Sequence, residues 1–177
     1  MDRMKILVTG LIGSGKSAVC SYLAGLGYPV YDSDTRTKSL YESVPGLKEQ
    51  IEQTLGVPFS ELGIIFRDEQ KRLALEELVY PLVLEDFRRF AESAASEVVI
   101  FESAVALDKV QFAGVFDKVV LVRAPYETRL RRNPKVGERS AVQNEPDPAA
   151  VDFIIDNDSG LAELHDRVDR LLKQLKI

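Results

Sequence analysis

The sequence predicts an α/β fold, a single domain over residues 1–177 in which a five-stranded parallel sheet is flanked by helices. Three observations carry that prediction. Short apolar runs recur along the chain without the alternation of a half-exposed strand, as expected where helices cover both faces of a sheet. Between these runs the apolar spacing changes to three and four, the period of an amphipathic helix. The first run, Ile6-Leu7-Val8, leads directly into Gly10-Leu11-Ile12-Gly13-Ser14-Gly15-Lys16-Ser17. That octapeptide fits G-x-x-x-x-G-K-[ST], a glycine-rich phosphate-binding loop between a strand and a helix.

Taken in order, strands are predicted over residues 5–8, 29–31, 97–101, 118–122 and 153–155. After the phosphate loop, Ala18, Val19, Tyr22, Leu23 and Leu26 recur at helical spacing, so the loop opens a helix whose N-terminal partial charge favours an anion. Cys20, one turn into that helix, reads as a small packed side chain. Leu47, Ile51 and Leu55 predict a helix that Gly56 caps. Leu73, Leu78, Val79, Leu82, Val83, Phe87 and Phe90 predict a further helix, which Pro81 is expected to kink or divide near Tyr80. Leu161, Leu164, Val168, Leu171, Leu172 and Leu175 form the stripe of a last helix that begins at Ser159 and Gly160. Two excursions interrupt the sheet: a helical one over residues 41–95, and one over residues 126–150. In a phosphate-transfer protein these are the places for an acceptor site and a closing lid.

Composition bounds the function. With 177 residues and 45% hydrophobic content, the chain is long enough for its own core without metal or disulfide support. It has one cysteine and one histidine, too few for a zinc cluster. Apolar runs are short and no signal-peptide pattern opens the chain, which points to a cytoplasmic protein with no membrane partner. The net charge of -5 argues against a nucleic-acid partner. Against that background, Arg123, Arg129, Arg131, Arg132, Lys135 and Arg139 face only Glu127 and Glu138, a local net of +4 suited to a compact polyanion.

The phosphate loop defines the first set of candidates. Backbone N–H groups from Gly13 to Ala18 cradle phosphate, Lys16 adds a mobile positive charge and the Ser17 hydroxyl is a ligand for Mg²⁺. At the end of the second predicted strand stand Asp32 and Asp34, where strand-end carboxylates face the ligand crevice. One of the pair takes a substrate proton or holds Mg²⁺ through water, and the other caps the next helix. Glu102, at the end of the third strand, is a further candidate for the metal shell, as is Asp108. Arg129 and Arg132 at i, i+3 share a helical face, and Arg139 and Gln143 form an i, i+4 pair. Guanidinium groups match phosphate oxygens well. His165, among Glu163, Asp166 and Arg167, reads as a surface residue.

Several separated motifs together resemble the dephospho-coenzyme A kinase family, over nearly the whole chain. Residues Leu11 to Ser17 are similar to its GIGSGKS loop. Leu26-Gly27-Tyr28-Pro29-Val30-Tyr31-Asp32-Ser33-Asp34 resembles its LGxxVxDAD segment, and Val79-Tyr80-Pro81-Leu82-Val83 its HPxV stretch. Glu102 to Asp108 resembles its PLLFE stretch, with Asp108 at the closing acid. Arg139 and Gln143 match RxxxQ, and Asp152-Phe153-Ile154-Ile155-Asp156-Asn157 matches DxVIxN. The resemblance implies a P-loop kinase fold with strand order 2-3-1-4-5, and transfer of the ATP γ-phosphoryl group to the ribose 3′-hydroxyl of dephospho-coenzyme A. It implies Asp34 as the general base, with Mg²⁺ on Ser17 and, through water, on Asp34 or Glu102. Lys16 and the loop hold the ATP phosphates, and Arg132 and Arg139 neutralise the transferring group. Four features depart from the pattern. Tyr80 replaces the histidine, Ser103 the proline, an LDR element is absent between Pro58 and Phe66, and only six residues separate Arg132 from Arg139. Other small-molecule kinases and nucleotide-dependent switches share the loop, although the Asn-Lys-x-Asp motif of a GTP switch is missing.

Overall fold

The computed structural model describes residues 2–140 and 143–177, so Ala141 and Val142 of the basic excursion lie outside the described residues. Five strands, β1 (Met4–Thr9), β2 (Val30–Asp32), β3 (Val98–Glu102), β4 (Lys118–Arg123) and β5 (Phe153–Asp156), form one parallel sheet in the order β2-β3-β1-β4-β5. Each predicted strand is present, and the order is the one implied by the family resemblance. Alternate residues serve opposite faces. Leu7, Tyr31, Val99, Phe101 and Val119 pack on one face with Leu47, Val79, Val83 and Phe87. Ile6, Val8, Ile100, Val120 and Val122 pack on the other with Val19, Leu23, Leu164, Val168 and Leu171. Both faces are therefore dry, which is why the strands read as continuous apolar runs.

Helix α1 (Lys16–Gly25) follows the phosphate loop, and α7 (Leu161–Leu175) lies beside it on the same face of the sheet. Between β2 and β3 run α2 (Ser33–Ser43), α3 (Leu47–Leu55), the 3₁₀ segment Phe59–Phe66 and α4 (Glu69–Ser93). Gly56 ends α3 in the left-handed conformation, φ 68°, as its glycine cap requires. Between β4 and β5 come the short helices α5 (Tyr126–Arg132) and α6 (Val136–Arg139), then a 3₁₀ turn at Pro148–Ala150.

Three expectations need correction. Pro81 does not divide its segment, because α4 runs unbroken from Glu69 to Ser93. The ring and the Glu77 position, whose carbonyl loses its partner to proline, are both solvent-exposed, while Val79, Val83 and Phe87 hold the buried face on the sheet. Leu161, the first residue of α7, and Leu26, which caps the end of α1, lie outside the core, 60% and 49% exposed. His165 is half-buried: its ring stacks on Tyr22 at 3.9 Å, and Tyr22 donates to Asp169, so α1 and α7 meet through an aromatic pair.

Candidate active site

The connections leaving β1 and β3 run to opposite sides of the sheet, which opens a crevice at the carboxyl ends of these two strands. Gly10 starts the phosphate loop there, pressed so closely to β4 that an added Cβ would lie 2.3 Å from the Val122 carbonyl oxygen. The loop is fastened from outside at several points. Gln143 Oε1 accepts from the Ile12 N–H at 3.0 Å. Arg132 Nη1 donates to the carbonyls of Gly13 and Ser14, at 3.1 and 3.2 Å, and Nη2 donates to Asn157 O at 3.2 Å. The buried Asn157 amide also donates to Ser14 O, at 2.9 Å. With its carbonyls held on the outside, the loop turns its donors the other way. The N–H groups of Gly13, Gly15, Lys16, Ser17 and Ala18 have no protein acceptor among the described residues. Such a ring of free donors at a helix N-terminus is an anion cradle.

Glu102 links this cradle to the neighbouring strand end. Its carboxylate accepts from Ser17 Oγ at 2.6 Å, and its main-chain oxygen accepts from Ser33 Oγ at 2.7 Å. Glu102 also pairs in register with Val8 of β1 and Asp32 of β2. The carboxylate beside Cys20, together with the burial that dominates, pushes the Cys20 thiol up, which leaves it an inert packed group. Asp108, the other candidate for the metal shell, is exposed on a 3₁₀ turn and contributes nothing to this cluster. Among the described residues no three His, Cys, Asp or Glu side chains converge as a metal cage.

The two strand-end aspartates divide their tasks. Asp32 is the N-cap of α2, accepting from the N–H groups of Asp34 and Thr35 at 3.1 and 3.2 Å and from Thr35 Oγ1 at 2.8 Å. The Asp34 carboxylate accepts no such bonds among the described residues. It stands exposed in the first turn of α2, on the wall of a cavity of about 370 Å³ that also takes in Tyr41, Phe66, Glu76, Tyr80, Lys109, Arg139 and Gln143.

Sequence pattern alone gives no signal for several of these wall residues. Glu76, buried in α4, accepts from Lys109 Nζ at 2.8 Å, with Arg72 at 4.0 Å. Tyr80 packs edge-on against Phe112, and burial, reinforced by the Glu76 charge, pushes its phenol up. The buried Ser103 makes the turn after β3 with its hydroxyl, which accepts from the N–H groups of Val105 and Ala106. The Ser103 N–H also donates to Val8 O at 3.1 Å, a bond that a proline at this position would lose.

The basic segment divides as well. Arg129 is buried with its main chain against Gly13, so α5 sits on the loop itself, while Arg132 reaches the loop carbonyls. Arg139 stands apart from them, over the Phe66 ring in the cavity.

Comparison with known proteins shows the family. The family model for dephospho-CoA kinase matches residues 4–163. A dephospho-CoA kinase of Fusobacterium nucleatum is 28% identical, the match covering 99% of this chain and 100% of that protein. One from Chlorobium chlorochromatii is 31% identical over 95% of this chain and 92% of its own length. A Thermus thermophilus crystal structure matches with a TM-score of 0.80 at 26% identity, covering 99% of each chain. With its phosphate cradle, its free strand-end carboxylate and a family match over nearly its whole length, the chain belongs to the dephospho-CoA kinase family of ATP-dependent kinases.

Proposed function

We propose that Asp34 takes the proton of the ribose 3′-hydroxyl of dephospho-coenzyme A as that oxygen attacks the γ-phosphorus of ATP. The new P–O bond forms as the bond to the β–γ bridging oxygen breaks, and ADP leaves. The observation that carries this reading is the position of Glu102, which fastens Ser17 of the phosphate cradle and Ser33 of the Asp34 turn to one strand end. Donor and acceptor are thereby brought to one crevice, and positioning supplies much of the rate in phosphoryl transfer.

In this reading the N–H groups of Gly13, Gly15, Lys16, Ser17 and Ala18 and the Lys16 ammonium hold the β- and γ-phosphates, while the Ser14 N–H closes the loop on Leu11 O at 3.0 Å. Arg139 neutralises charge on the transferring group, whereas Arg132, expected from the sequence to do the same, braces the loop from its carbonyl side. Magnesium fits the donors present. Ser17 Oγ and the Glu102 carboxylate, 2.6 Å apart, are hard oxygen donors at the mouth of the phosphate cradle. A hard cation with few protein ligands completes its shell with water and phosphate oxygens. Ser17 would hold it directly, and Glu102 or Asp34 through water. When bound, it screens the phosphate charge.

The helical excursion over residues 41–95 forms the acceptor side, and residues 126–150 form a short lid. Among the described residues no helix is long and apolar enough to cross a membrane. We place the reaction in the cytoplasm with ATP and dephospho-coenzyme A as partners; the net charge of -5 disfavours nucleic acid. A coupled ADP-release assay with and without dephospho-coenzyme A, with coenzyme A identified by mass, tests the proposal. Release that depends on a different hydroxyl acceptor would reassign the cavity, and release that no acceptor stimulates would overturn the transfer reading.

A further inference from the structure

Phe66 ends the 3₁₀ segment on the wall of the cavity and has no role in the phosphate chemistry described above. Its ring lies under Arg139, whose guanidinium carbon stands 3.9 Å from the ring centroid. At that distance the negative face of the ring attracts the cation. Arg139 Nε is buried and has no hydrogen-bond partner among the described residues. The main chain of the same segment is tied to the phosphate loop: the Gln143 N–H donates to the Arg139 carbonyl, and Gln143 Oε1 accepts from the Ile12 N–H, both at 3.0 Å. Arg139 is therefore held at two ends, by the loop through Gln143 and by the acceptor wall through Phe66.

We infer that Phe66 is a positioning residue, whose ring holds the Arg139 guanidinium at the junction of phosphate cradle and acceptor cavity. The inference rests on the reading that the phosphoryl group crosses this junction. An aromatic face suits the task better than a carboxylate. A carboxylate would fix the side chain but cancel the charge needed when the phosphoryl group moves, whereas the ring restricts the side chain and leaves its charge whole. The unpartnered Nε remains a donor that an arriving anion satisfies after a small shift.

Phe66→Leu keeps apolar bulk and removes the ring face. It is expected to lower kcat about tenfold, with the KM for ATP changed by less than about twofold. Phe66→Tyr keeps the face and restores kcat. If Phe66 acts through Arg139, then Phe66→Leu has no further effect in an Arg139→Gln background. A second readout needs no substrate. The Arg139 side-chain proton resonances should be shifted upfield by the ring and return to ordinary positions in Phe66→Leu. Should the leucine variant fold poorly, Phe66→Met carries the same expectations. Full kcat in the ring-less variants, a tyrosine variant as slow as leucine, additive effects with Arg139→Gln, or unshifted Arg139 resonances in an active enzyme would each overturn the inference. An unaltered enzyme that transfers nothing to dephospho-coenzyme A would instead defeat the kinase reading on which it stands.

Discussion

A Cβ added at Gly15 of the phosphate loop would sit 2.0 Å from the Asn157 amide nitrogen, whereas one added at Gly63, on the wall of the cavity beside Asp34, would meet nothing within 4 Å. The contrast runs through both halves of the site. The loop is held by Gln143, Arg132 and Asn157, and its glycines touch their neighbours at 2.0 to 2.7 Å from where a Cβ would be. The cavity proposed for the acceptor encloses about 370 Å³, and Asp34, the carboxylate proposed as base, is exposed on its wall. A triphosphate offers the same oxygens at every turnover, so donors fixed in advance stabilise charge without reorganisation. A large acceptor must enter and leave, so its wall trades close contact for room.

Substitution of the two charged residues nearest the chemistry sharpens this comparison most. Asp34→Asn keeps the shape and removes the proton acceptor, and kcat is expected to fall by about 10² to 10⁴ with little change in ATP affinity. Asp32→Asn is its control: asparagine also caps helices, so its effect on steady-state kcat should be far smaller. If Asp34→Asn abolished ATP binding in a titration, the two sides would not be separable and Asp34 would belong to the metal shell. Lys16→Ala acts on the other side. Loss of a preorganised positive group costs about 10² to 10³ in kcat, here with weaker ATP binding and an unchanged fold by circular dichroism. Unchanged turnover would contradict the phosphate cradle.

Next in size is Gly15→Ala. The residue has φ 100°, where a side chain is strained, and the new methyl would displace the Asn157 amide from its buried 2.9 Å bond to Ser14 O. Strain and a broken buried hydrogen bond together cost about 2 to 4 kcal/mol, readable in a denaturant titration together with weakened ATP binding. An alanine variant as stable as the parent would mean that the loop is looser than its contacts imply.

How much of this was legible in the sequence follows from the range of each interaction. The strands were legible because both sheet faces are dry, and the loop because its chemistry is local. The division of labour between Asp32 and Asp34 was legible only through the family resemblance and not from local pattern, because α2 buries only Ser33 and shows no apolar stripe to mark its start. Asn157 and Gln143 reach the loop across separations of 143 and 131 residues, which no local pattern encodes. The pairing of Glu76 with Lys109 and of Phe66 with Arg139 likewise depends on how α4, the 3₁₀ segment and α6 come together around the cavity. At Pro81 the tendency to divide the helix lost to packing, since Val79, Val83 and Phe87 on the buried face were already committed to the core.

The smallest expected effect is the most direct test of the contrast. Gly63 lies within the 3₁₀ segment, where the only departure from helical backbone is at Glu61, and it is exposed. Alanine fits that backbone without strain and restricts the unfolded chain more than glycine does, so Gly63→Ala should stabilise the protein by about 0.4 to 1 kcal/mol. Because the residue lines the cavity, any kinetic effect should appear in the KM for dephospho-coenzyme A and leave the KM for ATP unchanged. The same methyl group is thus expected to act with opposite sign at Gly15 and Gly63. If chemical denaturation instead found Gly63→Ala destabilising by an amount comparable to Gly15→Ala, the acceptor wall would be as closely packed as the loop. The room in the cavity would then have to come from movement of its helices rather than from space already present.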